Sequence, residues 1–363
     1  MSKVLFLCDI ALANPKRGTP IHVARLLQEL RRKHDIVVCA ASVPDALRDV
    51  FVPYPRERGF KKLRAMLRIV DTHTPETVLT IGQVGLLAPV ILKYLRGVKI
   101  VVELQGVEYI EKYATGAIGL LYFYFWKYKT LLLLPLYDVV IAFTRRTAGL
   151  YPLLRQIGIV YPAIAIDTVP RAVLHMPIPP LIACYSGNMD IYQGLSHLIE
   201  AVALVRKRGL DARLHLVLTG DDAKARQVRT QIGKLNLTEV TTIVRNVLQH
   251  EAQSEMLKAS VLVIPRPNVL ESVYGFPSKL PESLATGLPV IVTDVGAVPE
   301  LMPEIGEHAI VIPAEDVTNH LVGALQHVAS MSVLERTERG DAARKYAQKF
   351  SWENVTPIVS DVL

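Results

Sequence analysis

The sequence of 363 residues lacks the features that identify disulfide-rich, dinucleotide-binding and membrane-spanning proteins. It holds three cysteines, Cys8, Cys39 and Cys184, which lie in separate apolar runs without metal-ligand spacing. An odd number so placed excludes a disulfide framework and predicts buried, reduced thiols in a cytoplasmic protein. The first eight residues are apolar from the outset and lack a small-residue cleavage site, so they predict a first strand rather than a signal peptide.

The sequence also lacks a dinucleotide fingerprint and an uninterrupted membrane-spanning run. Gly18 precedes the first predicted helix, but no G-x-G-x-x-G pattern is present, which excludes an NAD-binding motif. The longest apolar run, Ile118 to Leu136, contains Lys127 and Lys129. Each lysine would cost roughly 2.5–3.5 kcal/mol at a bilayer centre. We therefore expect a core helix with one face at a membrane interface, the alternative being an ordinary core helix with solvated lysines.

Charge is unevenly distributed along the chain, whose net charge is +7. Residues 1–150 hold 22 Lys and Arg against 12 Asp and Glu, whereas residues 151–363 hold 19 against 22. The basic half includes residues 56–68, in which three apolar residues are predicted to share a helix face: Phe60, Leu63 and Leu67. Together with the aromatic run, this predicts an anionic membrane surface as a partner of the first half, the alternative being random surface charge. No nucleic acid partner is predicted.

Apolar, strand-like runs alternate with helical patterns in two series, which predicts an α/β protein with two doubly wound parallel sheets. We place the first domain at 1–168, a proline-spaced linker at 169–181 and the second domain at 182–345. A C-terminal helical segment, 346–363, is predicted to pack on the first domain. The predicted strands include Lys3–Asp9, Thr77–Ile81, Lys99–Leu104, Val261–Ile264, Val290–Thr293 and Ile310–Ile312. Ligands of such folds bind at the carboxyl ends of the strands.

One stretch in the second series carries the clearest chemistry. A loop that begins at Gly275 leads into a short helix, which ends at Gly287, before the buried run Val290–Thr293. Lys279 brings a positive charge to a helix start, where backbone N–H groups can hold an anion. Glu282 follows one turn later and can accept two hydroxyl hydrogen bonds. A phosphate beside a diol is the outline of a nucleotide-sugar site.

Several motifs in this sequence resemble those of the retaining family-4 glycosyltransferases, a class of group 1 glycosyltransferases with the GT-B fold. Thr293 to Glu300 fits the pattern T-x-V-G-x-x-P-E, and Phe350 to Glu353 fits F-S-W-E. The resemblance also includes residues 275–293, Tyr185–Ser186–Gly187, Tyr192–Gln193–Gly194 and Val261 to Arg266. It implies two Rossmann-like domains that face across a cleft, and it implies sugar transfer with retention of configuration, without a metal or other cofactor.

The resemblance also implies roles for residues in the second domain. Glu282 matches the second glutamate of the family's E-x7-E motif, which binds ribose, whereas Tyr274 stands where the first glutamate is expected. Glu271 is the alternative for that first glutamate. Gly187, Asn188, Gln193 and Gly194 match the donor-diphosphate motif, but Asn188 and Gln193 replace its two cations. We predict that Lys279 and Arg266 supply the missing charge as catalytic residues.

The remaining candidate residues follow from the same resemblance. In the first domain, Gln105 occupies the position of a catalytic-site histidine, and it can hydrogen-bond but cannot carry a proton. Glu108 and His22 are weaker candidates, each with a packing or surface role as the alternative. The other predicted donor-binding positions are Gly18, after Arg17 in the first glycine loop, Val247 in the base-binding loop, and Phe276 and Ser278 before the short helix.

The predicted function is transfer of a sugar from a UDP-, GDP- or ADP-linked donor to an acceptor hydroxyl. The basic and aromatic segments favour a glycan or lipid-linked acceptor, and a peripheral position on the cytoplasmic membrane face. Two alternatives stay open. One is a nucleotide-sugar epimerase on the same fold, and the other is a catalytically reduced nucleotide-sugar-binding partner subunit.

Overall fold

The chain divides into two compact units in the computed structural model. The first unit comprises Met1–Ala163, Tyr274–Phe276 and Trp352–Leu363, and the second comprises Ile164–Val273 and Pro277–Ser351. The structure describes residues 1–14, 18–82, 86–107, 109–110, 117–154, 156–172, 178 and 180–363. Arg17, Glu108 and residues 173–177 and 179 of the predicted linker lie outside the described residues. Both units differ by several residues from the domain limits predicted at 168 and 346.

The described residues of the first unit form a seven-stranded parallel sheet in the order β3-β2-β1-β4-β5-β6-β7. Its strands are β1 Lys3–Leu7, β2 Asp35–Ala40, β3 Phe51–Pro53, β4 Thr77–Ile81, β5 Lys99–Leu104, β6 Val139–Ala142 and β7 Ile157–Ile159. Its helices are Gly18–Leu30, Gly59–His73, Leu87–Arg96, Ala117–Leu133, Arg145–Gly149 and Trp352–Ser360. β4 and β6 are buried along their whole length, as expected for strands covered on both faces.

Right-handed crossovers decide which face of this sheet each helix covers. The connection from β1 to β2 runs one way along the sheet, whereas the connections β3 to β4, β4 to β5 and β5 to β6 run the other way. The helices Gly59–His73, Leu87–Arg96 and Ala117–Leu133 therefore share one face, opposite to Gly18–Leu30. One apolar cluster confirms this arrangement, since it joins Met66, Val90 and the residue that follows the third helix, Leu134.

The second unit contains a six-stranded parallel sheet in the order β10-β9-β8-β11-β12-β13. Its strands are β8 Leu181–Asn188, β9 Ala212–Thr219, β10 Thr241–Arg245, β11 Val261–Ile264, β12 Val290–Thr293 and β13 Ile310–Ile312. Its described helices are Leu195–Lys207, Asp222–Lys234, Gln249–Met256, Leu270–Val273, Lys279–Ala285, Glu304–His308, Val317–Ser330 and Val333–Ala347. The predicted pair of Rossmann-like parallel sheets is therefore confirmed.

The strand orders locate the point in each sheet where the direction of connection reverses. In the first unit the reversal lies between β1 and β4, and in the second it lies between β8 and β11. Loops that leave neighbouring strands in opposite directions open a crevice at the carboxyl ends of the strands. Ligand-binding residues of the second unit are therefore expected directly after β8 and β11.

The two segments singled out in the first half form the helices Gly59–His73 and Ala117–Leu133. In the first of these helices Met66 and Val70 form the inner side, Leu63 and Leu67 are half-buried, and Phe60 is 90% exposed. The helix Ala117–Leu133 packs on the protein with one side and exposes the other. Within the described part of the chain, no helix is long and apolar enough to cross a membrane. The three cysteines are free and buried, as predicted.

Candidate functional site

The loops that follow β8 and β11 are in close contact in the second unit. Gly194 has a φ of +74°, and a Cβ atom there would lie 1.8 Å from the carbonyl oxygen of Pro265. Only glycine allows this approach. The hydroxyl of Ser272 donates to the carbonyl of Tyr192 at 3.0 Å and ties the two loops together. The predicted residues Gln193 and Gly194 therefore lie beside the loop that carries Arg266.

Arg266 is a buried cation at the carboxyl end of β11. Its guanidinium carbon lies 5.4 Å from the centre of the Tyr192 ring, within the range of a cation–π contact. Burial raises the pKa of the neighbouring Tyr185 hydroxyl, and the positive charge of Arg266 opposes that shift. Tyr185 is thus a neutral donor next to a fixed positive charge. Arg266 and Tyr185 therefore place a positive charge and a hydroxyl group at the point where the direction of the strand connections reverses.

The end of β8 is shaped by Tyr185 as well. Its hydroxyl donates to the carbonyl of Asn188, and a Cβ atom on Gly187 would meet that hydroxyl at 2.7 Å. The side-chain oxygen of Asn188 accepts from the backbone N–H of Asp190 at 3.0 Å. A side chain at position 187 would collide with the Tyr185 hydroxyl, which explains the glycine there. Asn188 carries no positive charge, and its side chain instead stabilises the turn at Asp190.

Glu282 is the most completely bonded carboxylate of the candidate site. It lies in the helix Lys279–Ala285 and is 3% exposed. One oxygen accepts from Gln253 at 2.7 Å and from Gln249 at 3.2 Å, and the other lies 2.7 Å from the ammonium of Lys279. Gln249 and Gln253 are one turn apart on the helix Gln249–Met256, so both amides face the same carboxylate.

These donors keep Glu282 ionised. Burial by itself raises the pKa of this carboxyl, but the charge of Lys279 and the hydrogen bonds from Lys279, Gln253 and Gln249 outweigh it, so the pKa lies below its ordinary value. Hydrogen bonds to the charged form are a recognised cause of such a shift. The result is a buried, oriented carboxylate that is a strong acceptor for a ligand hydroxyl.

The two predicted diphosphate cations have different partners in the structure. Lys279 is paired with Glu282, whereas Arg266 stacks on Tyr192. Ser278, just before the short helix, is exposed and its side chain makes no capping hydrogen bond. Val247 is half-buried in the loop that precedes Gln249. The predicted base-binding loop therefore leads directly into Gln249–Met256, the helix whose two glutamines donate to Glu282.

In the first unit, Gln105 and the first glycine loop are brought together. The amide nitrogen of Gln105 donates to Glu103 at 2.9 Å, and its amide oxygen accepts from the hydroxyl of Thr19 at 2.9 Å. Thr19 follows Gly18 in the first turn of the helix Gly18–Leu30. The carboxylate of Glu103 can only accept, so it determines that the amide nitrogen of Gln105 faces it, and the hydroxyl of Thr19 then donates to the amide oxygen.

His22 extends this polar group towards the interior of the first unit. Its Nε2 lies 3.3 Å from the buried carboxylate of Glu103. The ring packs against Phe143 and Trp352, with centroid distances of 5.5 and 5.3 Å. His22 is therefore both a packing residue and a neighbour of the carboxylate that orients Gln105.

Residues 274–276 contribute packing to the first unit. Tyr274, at the position of the missing glutamate, packs with an aromatic cluster that includes Tyr109 and Trp126, and its carbonyl accepts from Thr147 at 2.8 Å. Phe276 packs on Tyr161 at a centroid distance of 5.5 Å. Glu271 lies in the helix Leu270–Val273, where no further support for a ligand role is found.

Sequence reasoning missed the two glutamines that hold Glu282. Their only signal is a pair of amides four residues apart on the helix after the predicted base-binding loop. Among the described residues, no group of three His, Cys, Asp or Glu side chains could hold a metal ion.

Residues 180–330 match the family model described as Glycosyl transferases group 1. They resemble group 1 glycosyltransferases, as the motifs predicted. An MMP alpha-(1->4)-mannosyltransferase of Mycolicibacterium hassiacum is 28% identical over 178 residues, which cover 48% of this chain and 40% of that protein. The alignments with this and the other curated glycosyltransferases cover 40 to 46% of those relatives' lengths.

Solved structures of glycosyltransferases are similar to the chain over its whole length. Sucrose-phosphate synthase from Thermosynechococcus elongatus has a TM-score of 0.77 at 17% identity and covers 100% of this chain and 98% of that one. HepE from Anabaena, solved in complex with UDP, has a TM-score of 0.79 at 13% identity, with coverage of 99% and 98%. This similarity confirms the predicted GT-B fold.

Proposed function

We propose that the protein is a retaining glycosyltransferase, which moves a sugar from a nucleotide-diphosphate sugar to an acceptor hydroxyl. The observation that carries the proposal is the buried carboxylate of Glu282, kept ionised by Lys279, Gln249 and Gln253. It lies in the part of the chain that matches the group 1 glycosyltransferases. In the proposed complex the acceptor position that Glu282 has left receives a hydroxyl hydrogen bond of the donor ribose.

Lys279 and Arg266 neutralise the leaving nucleotide in this proposal. When the bond between the anomeric carbon and the β-phosphate oxygen breaks, negative charge collects on that phosphate. Two cations stabilise it more strongly than the amides of Asn188 and Gln193 can. The acceptor oxygen forms its bond to the anomeric carbon on the same face, and the departing phosphate oxygen takes the acceptor's proton. No protein nucleophile or metal ion has a part in this mechanism.

The proposed role of Gln105 is to hydrogen-bond a hydroxyl group of the transferred sugar. Its amide orientation is determined by Glu103 and Thr19, as described above. An oriented amide discriminates between sugars by hydrogen-bond direction, since its oxygen only accepts and its nitrogen only donates.

The proposed acceptor is a glycan or a lipid-linked glycan, and the proposed location is the cytoplasm, with peripheral attachment to the membrane.

A thermal-shift screen tests donor binding. A ligand that binds the folded state raises the unfolding temperature by mass action. We expect one of UDP-, GDP- or ADP-glucose, or the mannose and galactose analogues, to raise it in a concentration-dependent way. The UDP bound to the similar HepE structure makes the uridine nucleotides the first to be tested.

The matched variants Lys279→Gln and Lys349→Gln test the role of Lys279. The two lysines are 38% and 40% exposed, and each is paired with a glutamate. Glutamine at 279 still donates to Glu282 but lacks the charge. We expect kcat/KM for donor hydrolysis or transfer to fall roughly a hundredfold for Lys279→Gln and to stay unchanged for Lys349→Gln. Equal turnover of both variants would overturn the assignment of Lys279.

The replacement of both motif cations by Asn188 and Gln193 favours one second candidate, a catalytically reduced nucleotide-sugar-binding partner subunit. That protein would show the thermal shift without turnover. A nucleotide-sugar epimerase would instead convert the donor to an isomer in the absence of any acceptor, which chromatography of the donor pool detects.

A further inference from the structure

Three helices of the first unit cover the same face of its sheet. We call this the three-helix face: the outward sides of Gly59–His73, Leu87–Arg96 and Ala117–Leu133. Gly59–His73 and Leu87–Arg96 pack together and are joined by the ion pair of Arg96 with Asp71. Lys93 of the second helix donates to the carbonyl of Leu136, just after the third helix, at 2.9 Å.

The helix Ala117–Leu133 presents an apolar stripe to the outside. Leu121, Tyr124, Phe125, Tyr128 and Leu132 are spaced at i, i+3, i+4, i+7 and i+11, and all are exposed. Leu121 and Leu132 are 75% and 73% exposed. A surface helix of a globular protein normally turns charged and polar residues to the solvent. This helix does the opposite, so its outer side has the composition of a buried surface.

The inner side of the same helix already has its own partners. Trp126 packs with Tyr109 and Ile110 in an apolar cluster, and Thr130 is fully buried. The outer stripe therefore is not needed for packing within the unit. Exposed apolar area of this kind marks a site of interaction with another surface.

Apolar exposure is concentrated on the whole three-helix face. Of the 20 large apolar residues that are exposed among those described, 11 lie on these three helices. Besides the stripe they include Phe60, Leu87, Tyr94 and Leu95. Three helices that make up a small part of the chain thus carry more than half of its exposed large apolar side chains.

The three-helix face is also strongly basic. Its helices hold eight Lys and Arg and a single acidic residue, Asp71, for a net charge of +7. The whole chain has the same net charge, so the other residues balance one another. Gly59–His73 supplies four of the cations: Lys61, Lys62, Arg64 and Arg68. Lys129 lies over the ring of Trp126 at 4.0 Å, and burial lowers the pKa of this lysine.

We propose that the three-helix face docks on an anionic lipid bilayer. Leu121, Phe125 and Leu132 enter the boundary between headgroups and acyl chains, while the tyrosines lie at headgroup level, where their amphipathic rings are favoured. The cations of Gly59–His73 contact lipid phosphates. Charge complementarity selects this partner over a second copy of the chain, because two such basic faces repel each other.

Co-sedimentation of the full chain with vesicles tests the inference without donor or acceptor, so its outcome is independent of sugar transfer. We expect the protein to sediment with vesicles of phosphatidylcholine and phosphatidylglycerol at low salt. Binding to pure phosphatidylcholine should be at least about tenfold weaker, because each Lys or Arg near an anionic surface contributes to binding. Binding to the mixed vesicles should weaken as the salt concentration rises, since salt screens surface charge.

Two double variants locate the contact. Leu121→Ser with Phe125→Ser, and Arg64→Glu with Arg68→Glu, should each weaken binding at least about tenfold. The matched controls are Ile191→Ser with Leu334→Ser, which remove exposed apolar residues of the second unit, and Arg226→Glu with Arg229→Glu on its helix Asp222–Lys234. These positions are solvent-exposed, so the controls should bind as the native chain does, and circular dichroism checks that every variant is folded.

Three results would overturn the proposal. The first is a protein that stays in the supernatant with anionic vesicles at low salt. The second is equal binding by the face variants and their controls. The third is a dimer in analytical ultracentrifugation that Leu121→Ser with Phe125→Ser dissolves, because the stripe would then be covered by a second copy.

Discussion

Glu282 and Glu103 are two buried carboxylates, one in each unit, and they are held in different ways. Glu282 accepts from two glutamine amides and is paired with Lys279. Glu103, 2% exposed, accepts from the amide of Gln105 and lies 3.3 Å from His22. A buried carboxylate needs donors in either case, but of the two only Glu282 has a permanent cation beside it among the described residues.

The difference separates two kinds of site. The second unit places permanent charge where the donor diphosphate is proposed to leave, and it balances that charge with Glu282. The first unit instead places an oriented amide, Gln105, at the end of β5. Charge suits a phosphate, whereas an oriented amide suits the hydroxyl groups of a neutral sugar.

The largest expected effect on stability is that of Glu282→Ala. This change leaves Lys279, Gln249 and Gln253 without their acceptor, two of them in partly or fully buried surroundings. We expect a loss of about 3 kcal/mol in the free energy of unfolding, measured by urea denaturation. Glu304→Ala, which breaks the exposed pair with Lys349, is the control and should cost less than about 1 kcal/mol. Equal losses would show that the network around Glu282 does not stabilise the fold.

The dependence of stability on pH should differ between the native chain and Glu282→Gln. The pKa of Glu282 is lower in the folded state than its ordinary value, so its stabilising contribution is present above the unfolded pKa. The contribution is lost as the pH falls through the folded pKa. Urea denaturation between pH 7 and pH 3 should therefore show a steeper loss below about pH 5 for the native chain than for the variant. Parallel curves would mean that Glu282 titrates equally in both states.

Glu103→Gln should have the smallest effect of the three on stability. Glutamine keeps an oxygen that accepts from Gln105, and no permanent cation next to Glu103 is left unpaired among the described residues. We expect a loss of about 1 kcal/mol in the free energy of unfolding. A loss as large as that of Glu282→Ala would contradict the comparison and would assign a charge-dependent role to Glu103.

The pattern of the sequence predicted the buried strands well. Thr77–Ile81, Lys99–Leu104, Val261–Ile264 and Val290–Thr293 were predicted with the bounds that the structure has. Strands covered on both faces are continuous apolar runs, so their ends are visible in the sequence. The edge strands β3 and β7 were missed, because each has only three residues and includes a residue that is depleted in strands, Pro53 or Gly158. The equally short edge strand β13 was predicted, since all three of its residues are β-branched.

The site was only partly predictable for a physical reason. Glu282 and Lys279 are three residues apart on one helix, so their proximity follows from helical spacing. Gln249 and Gln253 lie more than 25 residues earlier in the chain, and only the packing of two helices brings them to Glu282. Periodicity places Phe60, Leu63 and Leu67 on one helix face, but only the structure shows that Met66 and Val70 are the residues that pack inward.

By itself the sequence determined the α/β class, the two parallel sheets, the family resemblance and the charge excess of the first half. Local spacing and composition carry these properties, because they depend on neighbouring residues in the chain. The tertiary structure decided which donors surround Glu282, how Gln105 is oriented and that the aromatic helix turns its apolar stripe outward. These depend on contacts between residues far apart in the chain, for which a single sequence carries no local signal.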